Sequence, residues 1–436
     1  MTSSHSFPTM RVLFLVGLAL WGCFFLVQQA SLSSFEQSFR HTEVHTVVPP
    51  RNETRGIIIC VHDRLVPMTL SLVQEVRRLG NKDPIHMYHC ENELSQLSRE
   101  TILAVDWTVE FHDACVDLVA TGKLRQDQVH HFHSYWLKPL ALIHSQLDHV
   151  MLLDTDVMLF HNPDLLWDIQ GYKDTGTLFF RDREIIIRQF LTDLVDVNGT
   201  ERLALHVLFD TFDYDKFNLP RRPSQMLLES LAWKGDAAHE QDSSITLIHK
   251  SKAPLAMDVL FHLLTEEIHR HQPIFTHGDK ELFWLAYELS QLPYFFSPWA
   301  NSGSARPGDV EKHPETLCGD LVQWIPDARY QSVLLHINGA FIFNPFAPHL
   351  DELPDMEARR QKLLADLPTH VSKQRVRSKA LVRAHDPDNL WPDICLYKRG
   401  SEPIREQDME AMRRKINNSF DIAIEMERKT HEATQP

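Results

Sequence analysis

The segment Val150–Phe160, with the sequence VMLLDTDVMLF, decides the fold class of this chain. Four apolar residues precede its two aspartates and four follow them, a pattern that predicts a buried central strand covered on both faces. Buried carboxylates are normally paired or bound to a metal. Because side chains alternate along a strand, Asp154 and Asp156 are predicted to face one side, where one divalent cation could bind both and still accept diphosphate oxygens. In the alternative interpretation, the two aspartates only end a strand and cap the next turn.

The flanking sequence alternates between short apolar runs and segments with helical spacing. Strands are predicted at 56–61, 84–89 and 107–111, and helices at 68–79, 94–105 and 134–146. This alternation predicts an α/β fold in which helices flank a Rossmann-like, mostly parallel sheet. Such a sheet binds ligands beyond the carboxyl ends of its strands, where the two aspartates are expected to lie.

The N-terminus predicts a membrane anchor. The stretch from Val12 to Val27 is apolar and uncharged, and Arg11 precedes it. A positive charge on this side predicts a type II protein whose bulk lies in the lumen; a cleaved signal peptide is the alternative. The predicted organisation is a cytoplasmic tail (1–11), a transmembrane signal-anchor (12–29), a stem (30–54), a main domain (55–350) and a charged C-terminal extension (351–436), which is expected to be a solvated face or an interface.

Other sequence features agree with a lumenal domain. Acceptor sequons for N-glycosylation begin at Asn52, Asn198 and Asn417. Outside the apolar stretch lie five cysteines, which allow at most two disulfides and one free thiol. No CxxC pair occurs, so the sequence argues against a structural zinc site. The net charge of −15 argues against nucleic acid as a partner.

Several segments carry a resemblance to a known enzyme family. They are YWLKPLALIHSQLDHVMLLDTDVMLFHNPDLLWD (135–168), TGTLFFRDR (175–183), EQDSSITLIHK (240–250), GDKELFWLAYEL (278–289), PYFFSPW (293–299) and LLHINGAFIFNP (334–345). The chain resembles retaining glycosyltransferases of the GT-A fold. The wider pattern resembles the fungal-type α-1,3/α-1,2-mannosyltransferases of glycosyltransferase family 71, over roughly residues 56–345.

The resemblance implies that residues 55–350 form a GT-A catalytic domain in the Golgi membrane. The expected reaction is metal-dependent transfer of mannose from GDP-mannose to a glycan or glycoprotein acceptor, with Mn²⁺ as the cation. A glycosyltransferase of the same fold that uses a UDP-sugar is one alternative. An inactive lumenal scaffold is another. A haloacid-dehalogenase-like phosphatase is a third, in which Asp154 would be the nucleophile; that family has a threonine where this chain has Met158.

The resemblance also implies a metal site and a donor site. Asp154, Asp156 and His336 are the expected metal ligands, and imidazole suits Mn²⁺ better than Mg²⁺. A histidine that follows an apolar run can instead be a core residue, which is the alternative for His336. Donor contacts are expected from Lys138, from Asp154 through the ribose, and from the segment Gln241, Asp242 and Ser243.

Three residues are expected to act in catalysis. Arg181 and Arg183 follow a predicted strand two residues apart, so both could face one side and offset charge on a leaving diphosphate. The alternative is an ion pair with Asp182 or Glu184. By resemblance, Asp279 borders the transferred sugar and the acceptor, although a helix N-cap explains an aspartate there almost as well.

Overall fold

The computed structural model describes residues 54–133, 135–184, 187–378 and 395–434. The predicted tail, the predicted anchor, the sequon at Asn52 and almost all of the stem lie outside these residues. Among the helices that are described, none is both long and apolar enough to span a bilayer. Membrane anchoring therefore stays a prediction.

The described residues form strands and helices in the following order. The strands are β1 (Arg55–Cys60), β2 (Ile85–His89), β3 (Glu110–Asp113), β4 (His149–Leu153), β5 (Val157–Leu159), β6 (Thr177–Arg181), β7 (Leu194–Val197), β8 (Thr200–Leu203), β9 (Gln241–His249), β10 (Ser302–Gly303), β11 (Leu321–Trp324), β12 (Leu334–Asn338), β13 (His370–Ser372) and β14 (Ser401–Pro403). The helices are α1 (Val66–Arg78), α2 (Gln96–Val105), α3 (Ala114–Ala120), α4 (Leu137–His144), α5 (Gln170–Thr175), α6 (Ala204–Thr211), α7 (Gln225–Leu228), α8 (Pro254–His262), α9 (Ile268–Arg270), α10 (Leu282–Leu289), α11 (Asp309–Lys312), α12 (Ala340–Phe343), α13 (Met356–Ala365) and α14 (Glu406–Thr434).

A six-stranded mixed sheet forms the centre of the molecule, in the order β3-β2-β1-β4-β9-β6. Strands β3, β2, β1 and β4 pair in parallel. Strand β9 pairs antiparallel with both β4 and β6. The α/β architecture predicted from the sequence is confirmed, with parallel pairing confined to the first four of these strands. A second, antiparallel sheet has the order β10-β11-β12-β5.

The deciding segment 150–160 is not one strand. β4 ends at Leu153 in the central sheet, and β5 begins at Val157 in the antiparallel sheet, where it pairs with β12. Asp154, Thr155 and Asp156 form the turn between the two sheets. The prediction of a single strand with both aspartates on one side is therefore wrong. An apolar run indicates that a segment is buried. Two short strands in different sheets bury their residues as completely as one long strand, so the run could not distinguish the two cases.

Local sequence signals set several element boundaries. α1 ends just before Gly80, whose φ of +100° suits glycine. The third strand begins at Glu110, later than predicted, because Asp106 accepts hydrogen bonds from the backbone N–H and the hydroxyl of Thr108 and holds residues 106–109 in a turn. Disulfides join Cys90 to Cys115 and Cys318 to Cys395, and Cys60 is free, which agrees with the limit set by the cysteine count.

The C-terminal extension packs on the domain through α14. Its apolar stripe, which includes Met412, Ile416 and Phe420, is buried. Arg414 forms an ion pair with Glu75 of α1 at 2.7 Å. The extension is expected from the sequence to be a solvated face or an interface. The apolar stripe forms an interface, and its partner is the domain of the same chain. In the sequence of this helix, charged residues of the outer face stand between the apolar residues, so the sequence alone does not reveal the stripe.

Candidate active site

A buried lysine joins three other predicted site residues. Lys138 lies on α4 with 7% of its side chain exposed, and its Nζ donates to Asp154 Oδ1 at 2.6 Å and to the Ser243 carbonyl at 2.8 Å. The same Nζ lies 2.9 Å from Asp279 Oδ2, and the Ser243 hydroxyl donates to Asp279 Oδ1 at 3.2 Å. Burial disfavours the charged lysine, but the two carboxylates outweigh burial and raise its pKa. Lys138 is therefore a fixed cation between two carboxylates.

Carboxylates gather at the turn between the two sheets. Burial raises the pKa of Asp154; Lys138 opposes this shift, and the charge of Asp156 adds to it. Burial likewise raises the pKa of Asp156, with a contribution from the charge of Asp242. Burial raises the pKa of Asp320 to about 6, and the charge of Asp156 adds to that shift. These side chains repel one another, so the turn favours a bound cation.

His336, the expected third metal ligand, lies in the protein interior. His336 is fully buried, its Nε2 lies 3.0 Å from the Ser244 hydroxyl, and its ring meets Phe180 edge-on. Burial lowers its pKa to about 3, so the imidazole is neutral. Within the described part of the chain, the side-chain trios that converge to ligand distance include neither Asp154, Asp156 and His336 nor Asp154, Asp156 and Asp320. Nδ1 of His336 is buried and has no hydrogen-bond partner among the described residues, so the role of His336 as third ligand stays a prediction.

Arg181 forms an ion pair in the protein interior. Its guanidinium lies 2.7 Å from Glu240 Oε2 and 3.7 Å from the centre of the Phe296 ring. Burial lowers its pKa to about 10, and Glu240 opposes that shift. The ion-pair alternative is therefore observed, although the partner is Glu240 rather than Asp182 or Glu184. In this geometry the Arg181 guanidinium pairs with a glutamate, and its catalytic role stays a prediction.

Arg183 lies in a different neighbourhood from Arg181. It follows the end of β6, and its guanidinium donates to the Gly319 carbonyl at 2.7 Å. Burial lowers its pKa, while the charges of Asp182 and Asp320 oppose the shift. Arg183 is thus electrostatically coupled to Asp320 and, through it, to the acidic turn. Arg181 and Arg183 therefore contact different groups in this structure.

The segment 241–243 contributes unequally to the site. Gln241 is fully buried; its Nε2 donates to Thr246 Oγ1, and its Oε1 accepts the Trp284 backbone N–H. Both ends of the amide are used in the core, so the predicted donor contact through Gln241 does not fit this geometry. Asp242 is held by the Ser244 N–H at 3.0 Å and by Gln323 Nε2 at 2.7 Å. Its charge still reaches the acidic turn.

The comparisons with known proteins identify the family. Residues 54–320 match the family described as "Mannosyltransferase putative". This chain belongs to that mannosyltransferase family. "Probable alpha-1,3-mannosyltransferase MNT4" of Saccharomyces cerevisiae is 26% identical, with 61% of this chain and 46% of the relative covered. "Alpha-1,3-mannosyltransferase MNT2" of the same yeast is 25% identical, with 64% and 50% covered. The chain spans about half the length of these curated relatives.

Solved glycosyltransferase structures match part of the chain at low similarity. Core-mannan synthase A from Aspergillus fumigatus, in its Mn/GDP form, matches at 10% identity with a TM-score of 0.37, and 57% of this chain and 72% of that chain are covered. Galactosyltransferase LgtC, in complex with donor and acceptor sugar analogues, matches at 11% identity with a TM-score of 0.36, and 71% and 96% are covered. With overlaps this low, the strand order given above defines the fold.

The family match ends at Asp320, and two residues near the turn were not predicted from the sequence. Asp320 directly precedes β11, and a carboxylate beside an apolar strand was a signal that could have found it. Lys415 of α14 is fully buried, and its Nζ lies 3.2 Å from the Ser71 hydroxyl. Burial lowers its pKa to about 7, while the charges of Glu75 and Asp156 oppose the shift. Nothing in the charged helix sequence marks this lysine as buried.

The two described sequons differ in exposure. Asn198 is exposed in the turn between β7 and β8, with a φ of +53°. Asn417 is half-buried within α14, and its sequon partner Ser419 is fully buried. A glycan fits the surface of the folded protein at Asn198 and does not fit the packed face of α14.

Proposed function

We propose that this chain is a metal-dependent, retaining glycosyltransferase of the GT-A type. It transfers mannose from GDP-mannose to a mannosylated glycan in protein glycosylation, through an α-1,3 or α-1,2 linkage. Membership of the mannosyltransferase family and the relatives named α-1,3-mannosyltransferases support the sugar. The observation that carries the proposal is the acidic turn Asp154–Asp156 at the carboxyl end of β4, where a mixed α/β sheet binds its ligand.

The residues around the acidic turn have different roles in the proposed reaction. Lys138 holds the carboxylates of Asp154 and Asp279 in one place, and Ser243 fixes the other oxygen of Asp279. Asp279 is 3% exposed and both of its oxygens are held, so its proposed role is to fix Lys138 and Ser243 beside Asp154. Arg183, whose charge interacts with that of Asp320, supplies a guanidinium near the acidic turn. A site organised in advance in this way stabilises charge that develops during transfer without having to reorganise.

Asp154 and Asp156 would hold the cation, and Mn²⁺ is the proposed ion. When bound, such an ion neutralises a diphosphate and stabilises it as a leaving group. His336 is the proposed third ligand, through the buried Nδ1 that has no hydrogen-bond partner in the described part of the chain. Neutral and buried, it orders Ser244, whose backbone carbonyl accepts the Asp154 N–H at 2.9 Å.

The proposed location is the Golgi membrane, with a type II topology and a lumenal catalytic domain. The apolar stretch 12–27, the preceding Arg11 and the exposed sequon at Asn198 support it. Expressed in a eukaryotic cell, the chain should stay in membranes after carbonate extraction and shift on deglycosylation, with Asn198→Gln removing at least one step of the shift. Quantitative secretion of a trimmed chain would exclude the anchor.

The test of the activity is a donor panel with a matched aspartate control. Full-length protein is assayed for transfer from GDP-mannose and UDP-sugars to mannosides, with Mn²⁺ or with a chelator. Asp156→Asn should lower kcat/KM at least about 100-fold, since the loss of a ligand costs more than the loss of a residue that supports one. Asp168→Asn, in an 80% exposed residue of the same segment, should leave kcat/KM unchanged. Full activity of Asp156→Asn, or full activity in chelator, would sink the metal-dependent mechanism.

The donor panel also separates the alternatives. Transfer from UDP-sugars alone would replace the donor and keep the enzyme class. Hydrolysis of phosphate esters without use of a nucleotide-sugar would restore the phosphatase, and no turnover of any substrate would favour the scaffold.

A further inference from the structure

Three side chains with ligating atoms meet at one edge of the central sheet. His86 lies on β2, and Glu110 and His112 lie on β3. The parallel register pairs His86 with Glu110 and Tyr88 with His112, so all four project from one face of the sheet. Glu110 Oε2 lies 3.7 Å from Nε2 of His86 and 3.7 Å from Nε2 of His112. One ligand atom from each of the three residues lies within 4.8 Å of the other two.

The hydrogen bonding and exposure of this trio suit a metal ion. Nε2 of His112 is buried and has no hydrogen-bond partner, which is uncommon for a buried polar atom. Glu110 is 61% exposed, so an ion can reach the trio from solvent.

Neighbouring groups fix the orientation of the His112 ring. Tyr88 stacks on His112 with ring centres 4.9 Å apart, and the Tyr88 hydroxyl lies 3.2 Å from Nδ1 of His144. The other nitrogen of His144 lies 3.2 Å from Asp117 Oδ2. Side chains that are held in this way reduce the cost of assembling a metal site.

A second trio within the described residues, Asp148, His149 and His249, is occupied by protein contacts. Asp148 accepts hydrogen bonds from the N–H and the hydroxyl of Ser251, and Nδ1 of His149 lies 2.6 Å from the Tyr172 hydroxyl. These contacts account for its ligating atoms. His149 therefore serves as a matched control.

We propose that His86, Glu110 and His112 bind one Zn²⁺ ion, with a water in the open position. Two imidazoles and one carboxylate are a set that zinc favours, and zinc ranks above manganese in affinity for nitrogen ligands. Ligands about 2.0–2.1 Å from zinc lie somewhat closer together than these do. Rotation of the exposed Glu110 side chain closes the gap. The ion would tie β3, an edge strand paired on one side only, to β2.

This site is independent of the proposed glycosyl transfer. Strand β1 separates β2 from β4, which leads to the acidic turn. Strand register brings these ligands together, and none of them is a cysteine. The absence of CxxC pairs in the sequence therefore did not bear on this site.

The test is a Zn²⁺ titration of the full-length, detergent-solubilised chain, stripped with chelator and held in excess Mn²⁺ to fill the acidic turn. Calorimetry should find one Zn²⁺ per chain in the wild type. Affinity should fall at least about 100-fold in His112→Ala and stay unchanged in His149→Gln. Glu110→Gln keeps the fold, because the residue is exposed, and should abolish the rise in thermal midpoint that Zn²⁺ gives the wild type. Equal isotherms for wild type and His112→Ala, an equal loss in His149→Gln, or no Zn²⁺ binding at all would overturn the site.

Discussion

Replacing Lys138 with methionine tests the buried cation most directly. The substitution keeps much of the side-chain volume and leaves Asp154 and Asp279 without the charge that both contact. Removing one partner of a buried ion pair costs about 3–5 kcal/mol. The Asp154 side chain is 32% exposed and that of Asp279 is 5% exposed, so water compensates the former, and the loss should lie near about 3 kcal/mol. At about 2 °C per kcal/mol, the thermal midpoint should fall by about 6 °C.

The pH dependence of this loss has a definite sign. Without Lys138, the pKa of Asp154 rises further above its unfolded value, because the lysine opposes the raised pKa in the wild type. A carboxyl group whose pKa is raised on folding favours the folded state as pH falls, since the folded state then binds more protons. The stability difference between wild type and Lys138→Met should therefore be larger at pH 8 than at pH 5.

Urea unfolding at both pH values measures the effect, with Lys173→Met as the matched control. Lys173 forms an exposed pair with Asp168, with side chains 50% and 80% exposed, and its loss should cost less than about 1 kcal/mol. Lys138→Arg keeps the charge and should lie between wild type and methionine. Equal stability of Lys138→Met and Lys173→Met, or a deficit that grows toward pH 5, would refute this account of the buried cation.

Three further changes test other parts of the structure. Arg181→Ala removes one of the two arginines that pair with the buried Glu240, since Arg377 stays 3.3 Å away, and should lower urea stability by about 1.5–3 kcal/mol, while the specific activity of the folded fraction changes little; a selective loss of kcat would contradict this. The pKa of Asp182 is lowered to about 2: burial raises it, and Lys280 outweighs burial. The stability that ionised Asp182 gives the folded state is complete above the unfolded pKa of about 4 and is lost as pH falls toward 2. Asp182→Asn should therefore make the loss of stability between these pH values, monitored by circular dichroism, less steep. Joint replacement of Cys318 and Cys395 by serine opens a loop of 77 residues and should cost about 4.5 kcal/mol on the chain-entropy estimate, measured as a lower urea midpoint.

Sequence signals that act locally were sufficient for much of the architecture. The apolar runs placed β1, β2 and β4, and the helical spacing before Gly80 placed α1, because burial and backbone preference act within a few residues. The same signals placed Asp154 at the carboxyl end of a strand. The resemblance placed the chain among mannosyltransferases, and the family match confirms this.

Tertiary structure alone decided which groups meet. The apolar run around Asp154 contains a change of sheet, since β4 pairs with β1 and β9 whereas β5 pairs with β12. Arg181 pairs with a glutamate 59 positions away, and His336 faces the core. Periodicity shows that a side chain is buried but does not identify its partner, because a partner distant in the sequence is set by strand order and register. For the same reason, the buried Lys415 on a charged helix and the histidine trio at the sheet edge became visible only in the folded chain.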